Sequence, residues 1–167
     1  GLGLDFAAQN PGAIKAIAYM EAILRRPGSP PPDPASAGGL FGRFLSEEGE
    51  ELILQQNLFV EQVLIGGLGT YLTDADREEY RRPFSEPGPG RWPSLEWPRQ
   101  LPTYNAETAP IAEAYTHWLA TDETVPKLFV HAAPGAIFSQ PEILDYLRSF
   151  ENQSEVTVYG THYVPEF

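Results

Sequence analysis

A short, mostly apolar run near the start of the chain, residues 14–21, constrains the fold most strongly. Apolar residues occupy both alternating faces of this run, which is typical of a strand buried on both sides in a parallel sheet. A second strand-like run lies near the other end, at residues 156–162. Glu21 ends the first run and His162 ends the second. Because chemistry collects at the carboxyl ends of parallel strands, we predict that both side chains belong to one site.

The segments between these two runs alternate in a way that predicts an α/β fold. Residues 1–10 and 46–65 read as helices, the second with Ser46 as its N-cap and Gly66-Gly67 as its end. Thr73 and Asp76 match a capping box that opens a short charged helix. Further elements are expected at residues 110–120 (helix), 126–133 (strand) and 141–150 (helix).

This order, αβ, then a long helical insertion, then βαβ, predicts a partial parallel sheet that carries an inserted helical cap. We expect three parts: residues 1–24 with the first helix and strand, residues 25–120 with the cap and its proline-rich connections, and residues 121–167 with the remaining strands and helix. Residues 25–39 are expected to be a linker or an extended excursion, and residues 82–102 contain too many prolines for long regular structure.

Composition excludes several classes of function. The net charge of −12 disfavours binding to nucleic acid or to acidic membranes. The absence of cysteine rules out disulfides, thiolate metal sites and a cysteine nucleophile, and it leaves the compartment open, cytoplasmic or periplasmic if the source is bacterial. No apolar run approaches the roughly 20 residues that cross a bilayer.

Glu21 and His162 invite an acid–base interpretation, since a carboxylate can orient a histidine that activates a nucleophile or a water. The alternative is that Glu21 caps a following helix and His162 is an ordinary surface histidine. Asp5 lies within a helix and is expected to be solvated. His117 and His131 show no metal-ligand spacing, so we predict no metal site. We expect His117 to lie at the boundary of a helix and His131 to be a hydrogen-bonded residue of the core.

Seven segments agree in order and spacing with a known family: residues 17–23 (IAYMEAI), 49–52 (GEEL), 56–64 (QNLFVEQVL), 80–84 (YRRPF), 91–102 (RWPSLEWPRQLP), 125–129 (VPKLF) and 133–136 (APGA). Together they resemble haloalkane dehalogenases, especially the subgroup that degrades chlorinated cyclohexane products and uses a glutamate after the sixth strand. The coelenterazine luciferase of the sea pansy shares the pattern more distantly. The resemblance covers nearly the whole chain apart from the proline-rich stretch and the loop at 66–71.

The resemblance implies an α/β-hydrolase fold with a helical cap, and a hydrolase that needs no cofactor. Such enzymes convert a small halogenated hydrocarbon to an alcohol, a halide ion and a proton. Their Asp nucleophile forms an alkyl-enzyme ester, and a His oriented by a carboxylate activates the water that hydrolyses it. Glu21 matches this carboxylate and His162 matches the base. The resemblance also matches Phe41, Phe59 and Pro98 to the substrate and halide pocket, and Val63, Gly67, Leu101, Ala136 and Ile137 to the access tunnel.

The family's nucleophile and halide-binding residues match nothing in this sequence, so we expect them upstream of Gly1, in a further segment of the same protein. The loop at 65–71, the residues after His162, the prolines at 30–32 and the lack of a usual cap tryptophan depart from the family pattern. These departures predict a changed tunnel and substrate range. Two other hypotheses remain: a luciferase-like oxygenase, and a non-catalytic remnant or binding module.

Overall fold

The computed structural model describes residues 1–166, which form two compact units. One unit joins residues 1–30 to those from 107 onward, and the other is the continuous stretch 31–106. The predicted boundaries at 24/25 and 120/121 differ from these, because the helix Ala109–Thr121 packs against the helix Leu2–Gln9 inside the first unit. Phe167, the last residue of the predicted third part, lies outside the described residues.

The first unit is built on three parallel strands in the order β1–β2–β3. The predicted succession of helix and strand, then strand, helix and strand, is present, although β1 has only three residues. The elements of this unit are α1 Leu2–Gln9, β1 Ile17–Tyr19, α6 Ala109–Thr121, β2 Lys127–Pro134, α7 Pro141–Arg148 and β3 Gln153–Gly160.

One face of this sheet carries the core of the first unit. Tyr19 of β1 stacks on Phe129 of β2 with ring centroids 5.4 Å apart. The Tyr19 hydroxyl also donates to Gln153 Oε1 across 2.6 Å, so its polar atom is satisfied although the ring is buried. The other buried members of this cluster come from α6, α7 and their connections: Leu119, Phe138, Leu147 and Phe150.

The second face of the sheet is more exposed than the sequence pattern predicts. Leu128 is 38% exposed and Val156 is 43% exposed, and Ala18 of β1, in the run expected to be buried on both sides, is exposed as well. Val156 pairs with Val130, two residues beyond Leu128, so Leu128 and Val156 point to the same face. The expectation that the run at residues 14–21 is buried on both faces is therefore wrong at Ala18.

The second unit is mainly helical and surrounds its own apolar cluster. Phe44, Leu52, Ile53, Leu54 and Leu95 form the buried part of that cluster. No helix among the described residues is long and apolar enough to span a membrane. The helices of the second unit are α2 Gly39–Leu45, the π-helical segments Glu51–Gln55 and Phe59–Ile65, α3 Gly66–Leu68, α4 Asp74–Arg81 and α5 Trp92–Arg99.

The helix predicted at 46–65 is interrupted at Asn57. The backbone of Asn57 is left-handed, with φ of 58°, so one helical segment ends there and another begins. Ser46 ends α2, and its Oγ accepts the backbone N–H of Glu48 at 3.2 Å, just ahead of the next helical segment, as expected of an N-cap residue. The glycines expected to end the helix lie inside α3, and the chain turns at Gly69, where φ is 61°.

The proline-rich stretch after β1 is anchored to the first unit at its start. Arg25 is buried and pairs with Glu113 of α6 at 2.7 Å. Its backbone N–H donates to Thr116 Oγ1 across 3.0 Å, and its guanidinium also donates to the carbonyl of Pro30. The start of the stretch expected to be a linker or an extended excursion is therefore held in place by contacts of Arg25 within the first unit.

Candidate active site

Glu21 follows β1 by two residues and has a buried side chain, 3% exposed. Its backbone is left-handed, with φ of 40°, a conformation that non-glycine residues rarely adopt. Left-handed residues other than glycine are often found at functional sites, where the surrounding structure holds them. The chain therefore bends at the end of the strand in a way that directs the carboxyl group inward.

The Glu21 carboxylate is bound by the turn that follows β2. Its Oε2 accepts the backbone N–H of Ala136 at 3.0 Å and that of Ile137 at 2.8 Å. These donors replace hydration that the carboxylate loses on burial. The turn is possible because Gly135 has φ of 61°. Glu21 thus binds a turn from a neighbouring strand, and the alternative in which it caps a following helix is wrong.

His162 lies two residues beyond β3 and completes the cluster. Its Nδ1 is 3.1 Å from Glu21 Oε2, so the contact predicted between the two side chains is present. The imidazole is 37% exposed, whereas its carboxylate partner is buried. A carboxylate bound at Nδ1 fixes the ring and favours the tautomer with a proton on that nitrogen. Nε2 is then left with a lone pair that can accept a proton from a water.

Tyr163 packs edge-on against the His162 ring, with ring centroids 5.0 Å apart and planes at 71°. Burial raises the pKa of the Tyr163 hydroxyl above its usual range, so this group stays neutral near pH 7. His162 is therefore flanked by a neutral aromatic ring and a buried carboxylate.

Two of the residues matched to the access tunnel, Ala136 and Ile137, lie in this same cluster. Their backbone N–H groups donate to Glu21, a role that the sequence did not indicate, and Ile137 also packs against the core of the first unit. Pro134-Gly135 indicated a turn after the strand, but nothing in the sequence indicated that its amides bind a carboxylate.

The other predicted pocket and tunnel residues lie in the second unit. Phe41 and Phe59 both contact the buried ring of Phe44, at centroid distances of 5.9 and 6.0 Å. Phe59 also meets Trp97 edge-on at 6.4 Å. Pro98 is buried within α5, Gly67 is exposed within α3, and Val63 and Leu101 are half-buried.

The remaining titratable candidates lie outside the Glu21–His162 cluster. Asp5 is half-buried on α1 and His117 is exposed on α6. His131 Nδ1 is buried without a hydrogen bond, 3.6 Å from Glu155 Oε1, so the expected hydrogen-bonded histidine is wrong for that nitrogen. Among the described residues, no group of three His, Asp or Glu side chains is placed to hold a metal ion.

Comparison with curated proteins gives relatives over nearly the whole chain, although no family model matches. The haloalkane dehalogenase of Sphingobium indicum is 42% identical over 167 residues, which are 99% of this chain and 55% of that protein. That of Mycolicibacterium smegmatis is 38% identical over 171 residues, 99% of this chain and 53% of that protein. The chain thus spans about half the length of these relatives. The coelenterazine h 2-monooxygenase of Renilla reniformis is 33% identical over 124 residues, 72% of this chain and 39% of that protein.

Solved structures agree with these relatives. A crystal structure of an ancestral haloalkane dehalogenase matches with a TM-score of 0.81 and 30% identity, covering 99% of this chain and 58% of that one. The haloalkane dehalogenase DbeA from Bradyrhizobium elkani matches with a TM-score of 0.81 and 29% identity, with the same coverage. The predicted α/β-hydrolase fold is confirmed for the part of the fold that this chain spans.

Proposed function

We propose that this chain, a homologue of the haloalkane dehalogenases over nearly its whole length, forms the part of such a hydrolase that activates the hydrolytic water. The observation that carries the proposal is the contact of His162 Nδ1 with a buried carboxylate oxygen that two backbone amides also hold. In a homologue of this family, that arrangement suits a general base and its partner.

The reaction proceeds in two covalent steps. A nucleophilic Asp, supplied by residues upstream of Gly1, attacks the carbon that bears the halogen; a carbon–oxygen bond forms and halide leaves. His162 then takes a proton from water through Nε2, and the water oxygen attacks the carbonyl of the alkyl-enzyme ester. The bond between the carbonyl carbon and the alkoxy oxygen then breaks, this oxygen takes the proton from His162 and leaves as the alcohol, and the Asp loses a proton to solvent to regenerate its carboxylate.

Glu21 completes a catalytic triad with His162 and the Asp nucleophile. Its carboxylate stabilises the imidazolium that forms when the base takes its proton. The two amides at Oε2 prevent the carboxylate from turning away while the charge on the ring changes. No cofactor takes part in this scheme.

The second unit, residues 31–106, is proposed to be the helical cap. The ring cluster of Phe41, Phe44 and Phe59 gives it an apolar interior suited to a halogenated hydrocarbon. Phe41, Phe59 and Pro98 are proposed to contact substrate and halide, and Val63, Gly67, Leu101, Ala136 and Ile137 to border the route of entry. Conversion of such substrates to alcohols would serve detoxification.

The experiment replaces His162 by Phe in the intact protein and treats it with 1-bromobutane or 1,2-dibromoethane. Alkylation precedes water activation, so the variant should release about one halide per protein and then stop. Mass spectrometry should find the alkyl-enzyme ester. If the variant forms no adduct while the wild type turns over, the assignment of His162 as the base is wrong.

The similarity to the coelenterazine monooxygenase supports one alternative, an oxygenase on the same scaffold. Light emission on addition of coelenterazine, without halide release from bromoalkanes, would favour that alternative. An intact protein inactive in both assays would favour a non-catalytic remnant.

A further inference from the structure

We propose that Gly135 is a positioning residue, whose missing side chain leaves the space in which Glu21 is held against His162. The catalytic consequence of this inference rests on the proposed function, whereas its geometric part depends only on contacts within the first unit. Gly135 lies in a turn and has a positive φ, and the structure also gives it a neighbour that explains the glycine.

The first argument is steric. A Cβ built on Gly135 would lie 2.6 Å from Glu21 Oε1 and 2.7 Å from the carbonyl oxygen of Ala132. Both distances are shorter than real Cβ contacts, which essentially never fall under 3.0 Å. Ala132 is a buried residue of β2, and its carbonyl is fixed by the strand. Since the carboxyl group of Glu21 belongs to a side chain, it is the neighbour that an added Cβ would displace.

The second argument is that moving one carboxylate oxygen moves the other. Oε1 is buried and has no hydrogen-bond partner among the described residues. Oε2 holds the amides of Ala136 and Ile137 as well as His162 Nδ1. Since the carboxyl group is planar and rigid, displacement of Oε1 turns Oε2 away from these three donors.

The third argument is that Glu21 cannot adapt through its backbone. Its φ of 40° already places it in the left-handed region, and its side chain is 3% exposed. A displaced carboxyl group would therefore lose the contact with His162 instead of carrying the chain with it. A misplacement of about 1 Å in a catalytic group can lower a rate by about 100-fold.

The test is Gly135→Ala in the intact protein, with two measurements. Proton NMR follows the far-downfield Nδ1–H signal of the hydrogen-bonded His162, assigned by its loss in His162→Phe. Rapid quench and mass spectrometry follow the alkyl-enzyme ester formed from 1-bromobutane. We expect the downfield signal to vanish or shift, and ester hydrolysis to fall at least ten-fold while ester formation continues.

Gly28→Ala is the matched control. Gly28 also has a positive φ, 80°, but a Cβ there would meet no atom within 4 Å. This variant therefore carries the backbone strain of an alanine in the left-handed region without the contact to a carboxylate. We expect it to keep the His162 signal and the hydrolysis rate of the wild type.

A double-mutant cycle keeps the proposal testable if Gly135→Ala is too unstable to assay. In a Glu21→Ala background the obstructing carboxyl group is absent, so Gly135→Ala should lower the urea midpoint by less than half as much as in the wild type. An equal loss in both backgrounds, or failure of the double variant to fold where Glu21→Ala folds, would place the conflict at Ala132 and overturn the proposal.

Two outcomes separate this inference from the proposed function. An unchanged His162 signal and unchanged hydrolysis in Gly135→Ala would overturn the positioning role and leave the proposed function intact. Loss of the signal in Gly135→Ala, together with no ester in His162→Phe, would support the positioning role and refute the proposed chemistry.

Discussion

At the scale of single residues, Glu21 combines three properties that rarely occur together. It carries a carboxyl group, its side chain is buried, and its backbone is left-handed. Burial of a carboxyl group is unfavourable, and the left-handed conformation alone costs about 1–2 kcal/mol for a residue with a Cβ. The hydrogen bonds from the turn after β2 and the contact with His162 are what make the combination stable.

Glu21→Gln tests the charge of this residue while keeping its shape. In the proposed mechanism an imidazolium forms as water is deprotonated, and a neutral amide cannot stabilise it, so we expect ester hydrolysis to fall by about 100-fold or more. Halide release in the first turnover should persist. Stopped-flow halide release and quenched mass spectrometry separate these two steps.

Glu123→Gln is the control for that substitution. Glu123 is exposed in the loop before β2, so its loss of charge should leave both steps unchanged. Equal hydrolysis rates for Glu21→Gln and the wild type would mean that the carboxylate has no part in water activation.

At the scale of elements, the sequence predicts best those segments whose structure depends on residues close together in the chain. The capping box of Thr73 and Asp76 is present at the start of α4, with hydrogen bonds in both directions. α6 and α7 also lie close to where their apolar spacing placed them. In these elements the signal and the structure depend on neighbours within a few residues.

The missed elements are those in which a local rule has an exception. α5 was hidden by its prolines, yet Pro93 lies in the first turn, where its missing N–H has no partner to lose, and Pro98 lies near the end. The break at Asn57 was equally hidden, because asparagine can occupy a helix and can also adopt a positive φ. The meeting of Glu21 with His162 could be predicted, since parallel strands deliver their ends to one edge, but the turn amides that hold Glu21 could not.

Arg91 connects two of these missed features, the start of α5 and the end of the helical segment before Asn57. It is buried, and its guanidinium donates to the carbonyls of Leu54 and Gln55 at 3.0 and 2.8 Å, where the first π-helical segment ends. It also donates to the carbonyls of Phe84 and Ser85 at 2.9 and 3.2 Å. One side chain thus satisfies four backbone acceptors from two separate segments.

Arg91→Met should therefore destabilise the second unit strongly. It removes four hydrogen bonds of a buried guanidinium, three of them to partly buried carbonyls, while the buried carbonyl of Leu54 keeps the Gly88 N–H as a donor. We expect a loss of about 2–3 kcal/mol in the free energy of unfolding. Urea denaturation followed by tryptophan fluorescence measures this loss. Arg82→Met, at an exposed arginine, is the control and should change stability by less than about 0.5 kcal/mol.

At the scale of the whole molecule, carboxylates paired with arginines make the free energy of unfolding depend on pH under acidic conditions. Hydrogen bonds from Arg148 lower the pKa of Glu155, and those from Arg81 lower the pKa of Glu61, each below its usual value of 4.5. A carboxyl group whose pKa is lower in the folded state binds fewer protons there than in the unfolded chain. Its stabilising effect is complete above about pH 4.5 and is lost as the pH falls through the folded pKa.

We predict that the urea midpoint falls as the pH is lowered from 6 to 3, and that Glu155→Gln falls less steeply. Glu155 joins three elements, since it contacts Arg148 of α7 at 2.8 Å and lies 3.6 Å from His131 of β2. Denaturation of both proteins across this pH range measures the two slopes. Parallel slopes would show that Glu155 contributes nothing to the acid sensitivity.

The second unit is one uninterrupted stretch, residues 31–106, set between two pieces of the first. A single recombination event between related genes could replace that stretch whole. The histidine, its glutamate and the glycine turn would pass through such an exchange untouched, because all of them are encoded outside it. Under the proposed function, the range of substrates could then change by exchange of residues 31–106, while the residues proposed to activate water are inherited unchanged.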